Sequence, residues 1–134
     1  MNDQQLQIIE LSKNPLNYGK LEKADIIKLG KNLSCGDQCS VYLRRAPSDS
    51  SSSSDRGREV IEEMKFEAQG CSISIASASL LSEYIKGKTD EEIIALTSDN
   101  LQQIIGMELG PSRLKCALLP LDTIQQGIKE DERK

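Results

Sequence analysis

The sequence predicts an α+β domain, a small antiparallel sheet packed against several helices. Three observations carry this. The chain opens on a helical apolar pattern, its middle third alternates with period two, and the remainder returns to helical spacing behind capping signals. Strands in one run with helices segregated on either side give the α+β class rather than alternating βαβ units.

Leu6, Ile8, Ile9 and Leu11 predict a helix over residues 2–12, with Asn2 or Asp3 as its cap and Asn14-Pro15 as its stop. Asn14-Pro15-Leu16-Asn17-Tyr18-Gly19 is rich in turn formers. Residues 25–31 read as a strand with Ile27 and Leu29 on its apolar face, and residues 40–45 as a second with Val41 and Leu43. Residues 46–58 hold Ser48 and Ser50 to Ser54 among Asp, Arg, Pro and Gly, a composition that buries nothing and predicts a flexible Ser-rich loop. Met64, Phe66 and Ala68 then alternate with Lys65, Glu67 and Gln69 as a third strand, so the loop is the long tip of a hairpin.

Ile73, Ala76, Leu80 and Tyr84 fit a helix ending at Gly87, although Ile73 and Ile75 also fit a strand. Thr89 with Glu92 makes a capping box, and Asp99 with Gln102 repeats the signal before Ile104, Ile105 and Gly106. Pro111 and Ser112 open a last helix whose stripe is Leu114, Leu118, Leu121, Ile124 and Ile128. Pro120 lies inside it and has no N–H for the carbonyl of Cys116. The helix should therefore bend or break, and that carbonyl should face water or a side-chain donor.

At 134 residues the chain is one domain, 1–134, large enough to bury a core. That core must be aliphatic, because there is one Phe, three Tyr and no Trp. A net charge of −4 argues against nucleic acid as partner. No apolar run is long enough to span a membrane, and Met1 to Glu10 does not read as a secretory signal. The expected location is the cytoplasm. There is no His, which excludes Ser-His-Asp hydrolysis and His-containing zinc sites.

The four cysteines are Cys35, Cys39, Cys71 and Cys116. In a cytosolic chain such residues are ligands, nucleophiles or small buried apolar groups rather than disulfides. Cys35 and Asp37 stand two apart on a strand edge and share a face. Cys71 and Cys116 stand near helix starts, where unpaired amides favour a thiolate. Three thiolates and one carboxylate suit zinc as a closed tetrahedral site, and suit a two-iron two-sulfide cluster equally. The carboxylate is the harder ligand, fitting a site that assembles and releases rather than stores. Cys39, four residues beyond Cys35, reads as a small buried residue.

Asn14 to Gly19, Cys35-Gly36-Asp37, the run Phe66 to Ser79 and Arg113-Leu114-Lys115-Cys116 together resemble the U-type iron–sulfur cluster assembly scaffolds, the family of the IscU, SufU and NifU N-terminal types. The resemblance extends from about residue 5 to 128. It implies a non-enzymatic scaffold that builds a two-iron two-sulfide cluster on Cys35, Asp37, Cys71 and Cys116, with zinc taking the same ligands. It implies sulfur supply by a cysteine desulfurase, with Cys116 and Cys35 as sulfur acceptors, and delivery to iron–sulfur acceptor proteins. Lys115 departs from the IscU type, which has His there, and is similar to the SufU type, while the short interval from Cys71 to Cys116 is similar to the IscU type. Lys115 is a surface cation or an auxiliary to sulfur transfer. The Leu-Pro-Pro-Val-Lys element read by a dedicated Hsp70 chaperone is replaced by Gly110 to Lys115, so that partner does not carry over. The alternative is a zinc-bound sulfur-transfer protein that takes a persulfide from the desulfurase.

Overall fold

In the computed structural model, residues 3–32, 36–47 and 59–132 are described. Helix α1 (Asp3–Lys13) stops before Asn14-Pro15, as the sequence requires, and buries Ile8 and Leu11. Strands β1 (Ile26–Asn32), β2 (Asp37–Pro47) and β3 (Glu59–Gln69) form an antiparallel sheet in the order β1-β2-β3. Helices α2 (Ser72–Tyr84), α3 (Asp90–Ile94), α4 (Ser98–Ile105) and α5 (Pro111–Glu132) follow. The described residues make one α+β domain around a single core, aliphatic except for Phe66, to which the sheet contributes Val41, Leu43, Met64 and Phe66 and the helices Leu81, Leu121 and Ile124.

The hairpin is longer than its sequence pattern. Ala46 and Pro47, assigned above to the Ser-rich loop, continue β2 by pairing with Val60 and Glu59. The rest of that loop, residues 48–58, lies outside the described residues. A bulge explains why β3 looked shorter. Arg44 pairs with Glu63 but Arg45 with Ile61, so Glu62 is the extra residue. Ile61 and Met64 are an odd number of positions apart, yet both are fully buried, because the bulge resets which face points inward.

The face of β1 is the reverse of the expected one. Ile27 is 66% and Leu29 49% exposed, whereas Ile26 is buried. The inward positions Ile26, Lys28 and Gly30 lie against α5. A Cβ at Gly127 would come within 3.0 Å of Ile26 and 3.2 Å of Lys28, one at Gly30 would overlap Thr123, and Lys28 Nζ reaches Glu130 at 2.8 Å. Two glycines facing strand and helix let the backbones approach closely, so the sheet edge is covered by a helix rather than by large side chains.

The helices resolve one ambiguity and move one cap. Cys71 caps α2, with an extended backbone, so the Ile73/Ile75 stretch is helical from its first turn. The Thr89–Glu92 capping box forms as expected. The second box is Thr97 with Asn100, two residues before the expected Asp99–Gln102 pair; Asn100 Oδ1 accepts the Thr97 N–H at 2.9 Å. Asn fills the reciprocal role that Glu or Gln usually takes. Asn14 to Gly19 runs alongside β3: Gly19 N–H donates to the Phe66 carbonyl at 2.7 Å, and Asn17 Nδ2 reaches Ser82 Oγ at 2.8 Å. This turn thereby joins β3 to α2, with the Tyr18 ring edge-on to Phe66.

Helix α5 continues across Pro120 without the expected break. The carbonyl that Pro120 deprives of an N–H does meet a side-chain donor: Ser74 Oγ lies 3.1 Å from the Cys116 carbonyl. Ser77 Oγ donates to the next carbonyl, Ala117, at 2.7 Å. Two buried hydroxyls of α2 thus satisfy consecutive carbonyls of α5.

Candidate metal centre

Three elements converge at one end of the sheet. Asp37 opens β2, and its neighbour Gln38 pairs with Gln69, the last residue of β3. Gly70 turns the chain and Cys71 caps α2. Cys116 lies in the second turn of α5, which packs against α2. The ligand atoms of Asp37, Cys71 and Cys116 consequently all lie within 4.8 Å of one another. Residues far apart in sequence meet here because β3, the Gly70 turn and α2 are consecutive, while the two Ser–carbonyl bonds fix α5 beside α2.

Asp37 is only 5% exposed, although a carboxylate at a strand start beside Gly36 is ordinarily solvated. Its Oδ2 accepts from Ser74 Oγ at 2.8 Å and lies 3.7 Å from Cys71 Sγ. Cys71 is exposed and Cys116 half-buried, neither of them in a disulfide. A buried carboxylate beside two reachable thiols is a donor set for a soft or borderline cation with one hard ligand. Cys35, two positions before Asp37, lies outside the described residues.

Lys115 is exposed next to Cys116. Cys39 is 1% exposed, and burial pushes its thiol up to about 12. It sits inside the core and outside the Asp37–Cys71–Cys116 group, in keeping with the small buried residue expected of it. Sequence reasoning passed over Ser74 and Gly70 as individual residues. The available signal for Ser74 was its place three positions after a helix-capping residue; nothing local marked Gly70, whose missing Cβ leaves room for Asp37.

A three-stranded antiparallel sheet flanked by helices, carrying a thiol–carboxylate cluster where β2, α2 and α5 meet, defines a small α+β domain with a candidate metal centre at its sheet end. Residues 3–134 match the family model of the NifU-like N terminal domain, and the chain belongs to that family. It is 31% identical to the iron–sulfur cluster assembly scaffold protein IscU of Thermotoga maritima, over 94% of this chain and 92% of that one. It is 29% identical to the zinc-dependent sulfurtransferase SufU of Bacillus subtilis, over 93% and 88% of the two chains. Among solved structures, a protein of Fervidobacterium islandicum AW-1 described as an iron–sulfur cluster assembly scaffold for the SUF system superposes with a TM-score of 0.70 at 29% identity, over 91% of this chain and 93% of that one. No helix among the described residues is long and apolar enough to cross a membrane.

Proposed function

We propose that this chain is a scaffold on which an iron–sulfur cluster is assembled transiently and then passed to acceptor proteins. The observation that carries the proposal is the convergence of Asp37, Cys71 and Cys116 within 4.8 Å. Cys35 completes the set as the fourth ligand. A two-iron two-sulfide cluster needs two protein ligands per iron, which these four groups supply. The cluster is cargo. A cysteine desulfurase provides the sulfur, with Cys116 and Cys35 as acceptor thiols, and a carboxylate in place of a fourth thiolate eases ligand exchange on release. Zinc occupies the same ligands when the cluster is absent.

A second reading, zinc-bound sulfur transfer, is favoured by Lys115 next to Cys116 and by the similarity to the Bacillus subtilis relative. Anaerobic reconstitution with ferrous iron, cysteine and a desulfurase separates the two. The scaffold reading expects visible absorption from about two irons and two sulfides per chain, slower cluster transfer in Asp37→Ala, and an unchanged fold. A chain that keeps its zinc, stays colourless and carries a persulfide on a cysteine would establish the second reading instead.

A further inference from the structure

Sulfur handed to a thiol arrives as a persulfide, in which the outer sulfur is at the level of elemental sulfur. The sulfide of a cluster carries two electrons more. Each sulfur accepted on Cys116 therefore needs two electrons before it can enter a cluster. A pair of thiols supplies two electrons when it becomes a disulfide.

Cys71 is the thiol placed for this. Its Sγ and that of Cys116 belong to a group whose ligand atoms all lie within 4.8 Å of one another. The two residues stand on different helices, Cys71 at the cap of α2 and Cys116 in the second turn of α5, and the Ser77 hydroxyl bonded to the Ala117 carbonyl at 2.7 Å ties those helices together close by. The Cys71 side chain is exposed and makes no capping hydrogen bond to its helix. Its sulfur contacts are long, 3.7 Å to Asp37 Oδ2 and 3.6 Å to Ser74 Oγ, so rotation about its Cα–Cβ bond can close the remaining distance. Cys39, by contrast, is buried in the core and outside the group.

We infer that Cys71 is the resolving thiol for a persulfide on Cys116: its sulfur displaces the outer sulfur as sulfide, and the two cysteines end as a disulfide. This rests on the reading of Cys116 as a sulfur acceptor. Cys116–S–SH and Cys71–SH become Cys116–S–S–Cys71 and hydrogen sulfide. The bond between the two Sγ atoms forms, the bond from Cys116 Sγ to the outer sulfur breaks, and both hydrogens leave with that sulfur. Counting the persulfide as a thiol carrying elemental sulfur, the outer sulfur gains two electrons and each cysteine gives one. A dithiol reductant then restores both thiols and is itself oxidised to a disulfide. It attacks the Cys71 sulfur, which lies on an open cavity of about 370 Å³ lined also by Ile8, Ile9, Ile73, Met107 and Arg113, whereas Cys116 is half-buried.

The test uses the full chain, as isolated and after chelation, reduced and freed of reductant. An immobilised cysteine desulfurase with cysteine loads the sulfur and is removed. Sulfide is trapped with monobromobimane, and the cysteines are read by mass spectrometry. The parent should release one sulfide for each persulfide lost, at a rate independent of chain concentration, and gain a Cys71–Cys116 disulfide. Cys71→Ser, a change at an exposed side chain, should keep the persulfide on Cys116 and release sulfide at least about tenfold more slowly, because the neighbouring thiol's high effective concentration is gone. Cys39→Ala should release sulfide at the parent's rate. A persulfide that persists in both forms of the parent, one that moves to Cys71 without sulfide release, a disulfide between Cys116 and Cys35, or parent-like release in Cys71→Ser would each overturn the inference. A persulfide found on Cys116 in those cases leaves the acceptor reading standing. A parent that takes no sulfur on Cys116 removes both.

Discussion

Gly30→Ala is the sharpest probe of the contact that seats the sheet edge under α5. The new Cβ would overlap Thr123 Oγ1 outright and lie 3.0 Å from Thr123 Cβ, on a strand face with no open space. Overpacking of this kind costs about 1–3 kcal/mol. Stiffening the unfolded chain by replacing glycine offsets about 0.4–1 kcal/mol. The net expectation is a loss of about 1–2 kcal/mol, or a fall of roughly 4–8 °C in Tm for a chain of this size. Thr123→Ala alone loses the buried hydroxyl bond to the Leu119 carbonyl, 2.7 Å long, which contributes about 1 kcal/mol. In the double variant the overlapping hydroxyl is gone. The two losses should therefore add to less than their sum by about 1 kcal/mol or more, the signature of residues in direct contact. Urea unfolding of the parent, both single variants and the double variant measures this. A Gly30→Ala chain as stable as the parent, or strict additivity, would refute the close approach of β1 and α5.

Three further outcomes test other parts of the structure. The Cys39 thiol, pushed up to about 12 by burial, is about one part in ten thousand thiolate at pH 8, so iodoacetamide followed by mass spectrometry should modify Cys71 and Cys116 first and Cys39 only in urea. Between the ordinary value of 9.0 and about 12 the unfolded chain gives up this proton while the folded chain keeps it; stability should fall as pH rises through that window, and Cys39→Ala should lack this part of the slope. Arg45, whose side chain is 11% exposed, bonds Asp90 at 2.6 Å and also Asp131, tying β2 to the start of α3 and the end of α5. Arg45→Ala leaves both carboxylates without that cation and should cost about 2–4 kcal/mol by thermal unfolding, with Arg45→Lys restoring only part of it because the planar fork is lost.

What could be read from the sequence was whatever depends on neighbours along the chain. Asn14-Pro15 ends α1 because proline restricts the residue before it, Thr89 and Glu92 cap α3 within one turn, and Met64, Phe66 and Ala68 alternate because a strand's side chains do. The missing helix partner of the Cys116 carbonyl followed from Pro120 four residues on. The ordered motifs around Asp37, Cys71 and Cys116 were equally visible in the sequence, and they named the candidate ligands before any geometry was known.

Other features depend on which surfaces meet. Whether Ile26 or Ile27 faces inward is one residue of register, and only the packing of α5 through Gly127 against β1 decides it. The bulge at Glu62 leaves no local mark, since its purpose is to keep Ile61 and Met64 on one buried face. The donor that answers the Cys116 carbonyl is Ser74, 42 positions earlier, and its second partner Asp37 is 37 positions earlier still. A periodic pattern specifies that a hydroxyl or a carboxylate lies on a face. Which group it meets is fixed only when strand, turn and helix have packed, because a hydrogen bond requires approach to about 3 Å, a distance set by tertiary contacts rather than by chain connectivity.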